Sequence, residues 1–435
     1  MLWVASYKIL PLHYYKTATV MLKRLFFTGF SILLIACTSL KDEVAVIDFI
    51  EVDGPHLVLK GEKYFIKGTN LGNWLNPEGY MFSFKKTNSA SWIDQMFCQL
   101  AGPGFTADFW RQFKERYITR EDIDFIASTG ANTIRLPFHY KLFTDEDFLG
   151  LTVSQDGFVR IDSIVSWCRR AGLHLILDMH DAPGGQTGDN IDDSHGYPWL
   201  FESETNQQLF CDIWKRIATR YHDEPVILGY DLLNEPIAPY FSNKDELNAM
   251  LEPLYKRAVS EIRKVDTNHI VILGAPQWNS NFNPFTDWTY DKKIMYSCHR
   301  YGGDATTDAI SHFIEFRNKT NLPMYMGEIG HNTLEWMEAF CRVMEENNIG
   351  YTFWPYKKMG GSCFVSISTP ENWEQVVAFS EASRDTYAAI REARPDQVLS
   401  RQSMTGLLEL CLFENCSVDW NYINALRLKK ERTDN

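Results

Sequence analysis

Two glutamates carry the strongest chemical signal in this chain. Tyr230-Asp231-Leu232-Leu233-Asn234-Glu235-Pro236 and Met324-Tyr325-Met326-Gly327-Glu328 are apolar runs that each end on a carboxylate. A carboxylate at the tip of a buried strand has left water without an evident partner, which is costly unless the group is used. Two such groups facing one another can open an acetal. One donates a proton to the leaving oxygen, and the other attacks the anomeric carbon or activates water, the division of labour that glycosidic cleavage requires.

Side chains far apart in sequence meet only if rigid elements carry them. Alternating runs from Val44 to Ile66, with turns at Asp53-Gly54-Pro55 and Lys60-Gly61-Glu62, predict a β-hairpin. Beyond it the pattern of strand, loop and helix repeats. Strands are expected at Ile66–Leu71, Asn132–Leu136, Leu173–Met179, Val226–Leu233, Ile270–Leu273, Ile294–Cys298, Met324–Glu328 and Gly350–Trp354. Helices are expected from Thr119 (with a Thr-Arg-Glu-Asp capping box), and over Asp162–Ala171, Asn206–Tyr221, Lys244–Lys264, Leu334–Asn347 and Asn372–Ala393. Eight strands of continuous apolar character require burial on both faces, so the fold class is α/β, a (β/α)8 barrel. A doubly wound open sheet is disfavoured, because no Gly-x-Gly-x-x-Gly turn follows the first strand. The chain then divides into an upstream extension and signal segment (1–36), a tether and start of the hairpin (37–57), the barrel (58–393) and a C-terminal helical tail (394–435).

The net charge of −13 argues against nucleic acid, which calls for a basic face. The 13 Trp and 20 Tyr, without a long basic stretch, suit stacking on sugar faces rather than phosphate binding. No Cys or His set has zinc-ligand spacing. Asp189-Asn190-Ile191-Asp192-Asp193 lacks the alternation of a calcium loop and is read as solvated. At the amino terminus, Met21-Leu22-Lys23-Arg24 is basic and Leu25–Ile35 apolar, a run too short to span a bilayer and suited to a signal core. Leu34-Ile35-Ala36-Cys37 resembles the bacterial lipobox, which implies a lipid on Cys37, a true start at Met21 and an envelope location tethered to the outer membrane. An ordinary cleaved signal is the alternative. Of the nine cysteines, Cys411 and Cys416 are close enough in sequence to form a disulfide in an oxidising compartment, and the other six beyond Cys37 are read as buried thiols.

Barrel enzymes place their chemistry at the carboxyl ends of the strands. Read in order, those ends hold Asn70, Asn73 and Trp74; Arg135; His180; Asn234 and Glu235; Trp278; His299 and Tyr301; Glu328; and Trp354. Asn234-Glu235-Pro236, Gly327-Glu328, Ile134-Arg135-Leu136-Pro137, His299-Arg300-Tyr301 and Phe353-Trp354 together resemble glycoside hydrolase family 5, the cellulase-type retaining barrels. Gly68-Thr69-Asn70-Leu71-Gly72-Asn73-Trp74-Leu75, continuing to Glu78, is similar to the first strand of exo-β-1,3-glucanases in that family. Asp178-Met179-His180-Asp181-Ala182-Pro183-Gly184-Gly185-Gln186 is similar to their third-strand loop. Asn73 stands where those glucanases usually carry a second Gly, and the loop Thr187–Leu200 diverges, so linkage specificity stays open.

The resemblance implies a role for each residue. Glu235 would be the general acid/base, its pKa raised by the nearby charge of Glu328, and Glu328 the nucleophile beside Arg135 and Tyr301. Asn234 would bond the sugar 2-hydroxyl, His180 and His299 would hold hydroxyls and Glu235, and Trp354 would form the stacking floor. Trp74, Trp278 and Glu78 complete the expected substrate-binding set, and Trp199 is as readily packing as stacking. The activity implied is retaining hydrolysis of a β-glucan or β-gluco-oligosaccharide by a monomer, without a metal or organic cofactor. The alternatives are a β-mannanase or other β-glycan hydrolase, a transglycosylase, and a non-catalytic glycan-binding lipoprotein.

Overall fold

Eight strands buried almost throughout on both faces cannot sit in an open, half-wetted sheet, and the chain closes them on themselves. The computed structural model describes residues 48–150 and 156–428. The chain divides into units 1–43 and 44–435, and the first lies wholly outside the described residues, as do Cys37 and the signal-like segment. The barrel strands are β4 (Lys67–Asn70), β5 (Thr133–His139), β6 (His174–Asp181), β7 (Ile227–Asp231), β8 (Ile270–Gly274), β9 (Ile294–His299), β10 (Met324–Gly330) and β11 (Gly350–Trp354). They pair in parallel and in chain order, β11 returning to β4, so the barrel has no free edge.

Preceding the barrel is a three-stranded antiparallel sheet, β1 (Glu51–Asp53), β2 (His56–Leu59) and β3 (Glu62–Tyr64), rather than a two-stranded hairpin. Both predicted turns form, and each joins a pair of strands. Ile50 and Leu57 pack with Ile66, Ile176, Leu228, Ile270 and Met295, which lie at the amino-terminal ends of the barrel strands. The small sheet therefore plugs the end of the barrel away from the strands' carboxyl termini.

Helices cover the outside. α1 (Ala90–Ala101) and α2 (Pro103–Arg116) form an aromatic-rich insertion after β4 that the strand pattern did not anticipate, divided at Gly102. The outer layer continues with α3 (Arg120–Ser128), α4 (Asp156–Ala171), α5 (Glu204–Tyr221), α6 (Lys244–Arg263), the four-residue turn α7 (Pro276–Asn279), α8 (Ser311–Thr320) and α9 (Leu334–Glu346). Thr119 caps α3 through the expected box, with Asp122 returning to the Thr119 amide at 2.8 Å. The helix expected over Asn372–Ala393 is broken into α10 (Trp373–Glu381) and α11 (Tyr387–Ala393). Thr386 caps the second piece, and the break lets the Arg384 guanidinium turn back to Gln99 and Thr87, each at 2.8 Å.

The tail is more than helical. α12 (Gln397–Leu410) and α13 (Trp420–Ala425) flank β14 (Ser417–Val418), which pairs with β13 (Val365–Ile367), itself paired with β12 (Lys357–Met359). The tail is seated through its main chain and through apolar side chains, among them Leu407, Tyr422, Ile423 and Leu426, buried in the core. Tyr351 donates to the Leu426 carbonyl at 2.7 Å, Lys67 to that of Arg427 at 2.7 Å, and Lys357 to that of Cys411 at 3.0 Å. Cys411 and Cys416 are free thiols rather than a disulfide. Each Sγ points at carbonyls of its own turn, Leu408 for the first, Leu410 and Leu412 for the second. No helix among the described residues is long and apolar enough to cross a membrane.

Candidate active site

The carboxyl ends of the strands converge on a cavity of about 400 Å³ lined by Glu78, Tyr80, His180, Ile191, Asn234, Glu235, Tyr301, Glu328, His331 and Trp354. Beneath it lies a buried cation. Arg135 points inward from β5 with its side chain wholly enclosed. Its Nη1 donates to Glu328 at 2.7 Å and to Asn70 at 3.1 Å, its Nε to Asp231 at 2.9 Å, and its Nη2 to Asn234 at 2.9 Å. Asp178 lies 3.1 Å from the same Nη2. One guanidinium thus faces three buried carboxylates and fixes two cavity side chains at once. The planar fork suits that task, where an ammonium would offer a single point charge. Expected to bind substrate, Arg135 is instead a positioning residue, because no face of it reaches the cavity.

Glu328 is held at both oxygens, Oε1 by Arg135 and Oε2 by the Tyr301 hydroxyl at 2.5 Å. Gly327 must precede it without a side chain, since a Cβ there would meet Ser297 Oγ at 2.4 Å and His299 Nε2 at 2.8 Å. Glu235 follows β7 with φ of +45°, a left-handed conformation that non-glycine residues avoid. Its Oε1 lies 2.8 Å from His299 Nδ1. The Asn279 amide sits 3.0 Å from His299 Nε2, an arrangement that places the ring proton on Nδ1, donating to Glu235. His299 is occupied at both nitrogens and does not line the cavity. It orients Glu235 and is not available to a sugar hydroxyl.

Burial pushes the Glu235 carboxyl up to about 7, against partial opposition from His180 and Arg135. The expected cause, the charge of Glu328, is not among the contributors. Desolvation does the work. Burial likewise lowers His180 to about 4 and His299 to about 3, so both rings are neutral near neutral pH. Glu78 rises well above its ordinary value through burial and then through the charges of Glu328 and Glu235. Its Oε1 is buried without a protein partner, leaving a polar group at the cavity for a ligand to satisfy.

The remaining expectations divide. His180 stacks on Trp354 with ring planes 1° apart and centroids 5.1 Å apart, making a flat wall, while its Nδ1 lies 2.8 Å from Asp178. Asn234 lies between Arg135 and His180. Trp74 is not a substrate residue: only 1 % exposed, it packs in the aromatic core and donates its indole N–H to the Lys114 carbonyl at 2.9 Å. Trp278 is exposed and absent from the cavity wall, turned away by positive φ at Gln277 and Trp278 in α7. Trp199 is also exposed and lies tilted against Tyr197, with ring centroids 4.7 Å apart and planes at 56°.

Sequence reasoning passed over several contributors. Tyr80 accepts the Trp354 indole N–H at 2.7 Å and meets His331 at 3.3 Å. Gln186 donates to the carbonyls of His180 and Asn234 at 2.7 and 2.8 Å, clamping two catalytic loops together. Asp178 was within reach, since it lies two residues before His180 and so on the same face of one strand. Among the described residues, Glu235, His299 and Glu328 bring ligand atoms within 4.8 Å of one another, the approach a metal needs. Arg135, Tyr301 and the His299 ring already engage those atoms, which disfavours an ion there.

Residues 91–360 match the cellulase family, glycosyl hydrolase family 5. The chain belongs to that family. This family-5 protein is therefore an O-glycosyl hydrolase. It is 30 % identical over 259 residues to a β-xylosidase of Phanerodontia chrysosporium, a match covering 58 % of this chain and 52 % of that protein. It is 28 % identical over 359 residues to endoglucanase C of Acetivibrio thermocellus, covering 68 % and 98 % respectively. A glucan 1,3-β-glucosidase of Kluyveromyces lactis is 28 % identical over 220 residues, covering 47 % and 49 %. The chain thus spans about half the length of the xylosidase and the glucosidase and nearly all of the endoglucanase. Among solved structures, an endogalactoceramidase superposes with TM-score 0.55 at 18 % identity, covering 72 % of this chain and 75 % of that one. A rutinosidase from Aspergillus niger gives 0.54 at 19 %, covering 68 % and 91 %. At that identity the likeness is one of fold.

Proposed function

We propose that the family-5 chain is a retaining β-glycosidase acting on a β-glucan or a short β-gluco-oligosaccharide, with Glu235 as acid/base and Glu328 as nucleophile. The observation that carries this is the spacing. An oxygen of Glu235 and one of Glu328 lie within 4.8 Å of each other. His299 Nδ1 sits between them, 2.8 Å from one and 3.6 Å from the other. Retaining pairs stand about 5–5.5 Å apart, and inverting pairs need roughly 6.5–9.5 Å to admit a water.

In the first step the protonated Glu235 gives its proton to the glycosidic oxygen while Glu328 attacks the anomeric carbon. The bond to the leaving sugar breaks, and a glycosyl ester to Glu328 forms. In the second, Glu235, now a carboxylate, takes a proton from water, whose oxygen displaces Glu328. Asn234, oriented by Arg135 and His180, holds a hydroxyl of the sugar over Trp354, and Glu78 meets another.

The glucan preference is supported by the endoglucanase and glucosidase relatives and by the aromatic groups Tyr80, Tyr301 and Trp354 in the cavity wall. The xylosidase relative makes a pentoside the specific rival. Glu328→Gln and wild type are to be compared on β-1,3-, β-1,4- and β-1,6-glucans, mannan and xylan. A loss of at least about a thousandfold in kcat with an unchanged circular dichroism spectrum is expected. A near-normal rate in the variant refutes the assignment, and turnover confined to xylan or mannan replaces glucan as substrate. The lipobox-like run supports a lipid on Cys37 and attachment to the outer membrane.

A further inference from the structure

Beside the catalytic cavity lies a second cavity, of about 450 Å³, within the range of small-molecule sites (about 300–1,000 Å³). A single turn, Asn190–Asp192, separates the two: Ile191 lines the catalytic cavity and Asn190 the second. The outer cavity is walled by Asn88, Ser89, Ser194 and His195, with the indole of Trp92 at its edge. Trp92 is 57 % exposed, on the first turn of α1, in the insertion that the barrel itself does not require.

An indole left in water beside amides and hydroxyls is the chemistry of a sugar site, since the ring covers the apolar face of a pyranose and the rim takes its hydroxyls. Among the described residues no lysine or arginine lines this cavity, and Asp189 does, which disfavours an anionic ligand. The platform is also tied to the catalytic loop. Asp193 accepts from the backbone N–H of Ser91 at 2.9 Å and from its hydroxyl, and faces His139 at 3.3 Å. The same loop reaches the acid/base residue through Thr187, whose hydroxyl donates to the Glu235 carbonyl at 2.8 Å.

Resting on the glucan reading above, we propose that Trp92 and the cavity it borders form a distal binding site for a β-linked glucan chain whose reacting sugar occupies the catalytic cavity. Short substrates end before they reach it. The chain is therefore expected to favour polymers and longer oligosaccharides over aryl glycosides.

Kinetics of wild type, Trp92→Ala and Trp92→Phe on a soluble β-glucan and on an aryl β-glucoside test this. Trp92→Ala should lower kcat/KM on the polymer about tenfold, mostly through KM, leave the aryl substrate unchanged, and be largely rescued by Trp92→Phe. Equal kinetics on the polymer, or an equal loss on both substrates, overturns the distal site while the hydrolase reading stands. If wild type cleaves no β-glucan, the glucan reading falls. Titration of gluco-oligosaccharides into wild type and Trp92→Ala then decides the site. Weaker binding of long oligomers by the variant supports it, and absent or equal binding refutes it.

Discussion

The proton on Glu235 is held by dehydration, and that sets how rate depends on acidity. With its carboxyl raised to about 7, the acid form is populated below neutrality and lost above it. kcat/KM should therefore fall as pH rises through about 7, and Glu235→Gln should remove that limb. The variant should retain most of its glycosylation rate on substrates whose leaving group needs no protonation. A pH–rate profile of both proteins checks this, and an unshifted basic limb in the variant would assign it to another group. Stability follows the same sign. The folded value lies above the 4.5 of an ordinary glutamate, so the stabilisation from proton binding is complete below 4.5 and is lost as pH rises through about 7. At this scale the sequence was readable wherever a reactive side chain ends an apolar run, as at Glu235, Glu328, His180 and Trp354. Tyr80 and His331 escaped because they sit in loops whose path depends on tertiary packing. Trp74 and Trp92 show the limit, since only the fold decides which indole is buried and which is wet.

Among the elements, the loop after β6 has the most leverage. The Asp192 carboxylate gathers the backbone N–H groups of Thr187 at 2.5 Å, Gly188 at 2.8 Å and Ser194 at 3.2 Å, closing the loop on itself. Gln186 and Thr187 then hold the carbonyls of Asn234 and Glu235. Asp192→Ala leaves those amides unpaired and frees the segment that aims the acid. We expect kcat/KM to drop about tenfold to hundredfold with the barrel still folded, measured by kinetics beside thermal melting. Unchanged kinetics would show that β7 alone orients Glu235. Most of the eight strands were legible because their apolar runs are continuous, and Lys67-Gly68-Thr69-Asn70 because Ile66 and Leu71 flank it at the start of the repeat, whereas α1 and α2 were not, since nothing in the strand–helix alternation calls for them. The break between α10 and α11 could have been read from Ser383-Arg384-Asp385-Thr386, a cluster suited to capping.

Over the whole molecule, one end of the barrel is sealed by the apolar contacts of the β1–β3 sheet and the other carries the chemistry. If Cys37 carries a lipid, Cys37→Ala should move the activity from the membrane fraction to the soluble one with kcat/KM unaltered. Activity that stays with the membrane would require another anchor. The tail is the part the sequence described least well, and its mode of attachment explains why. Tyr351, Lys67 and Lys357 grip carbonyls, which every residue type possesses, so these anchors leave no mark in the letters, and only buried apolar positions such as Leu407, Tyr422, Ile423 and Leu426 tie the composition of the segment to its seat. Distant cousins would consequently keep the apolar spacing of this segment and the path it traces, while the letters between those positions drift.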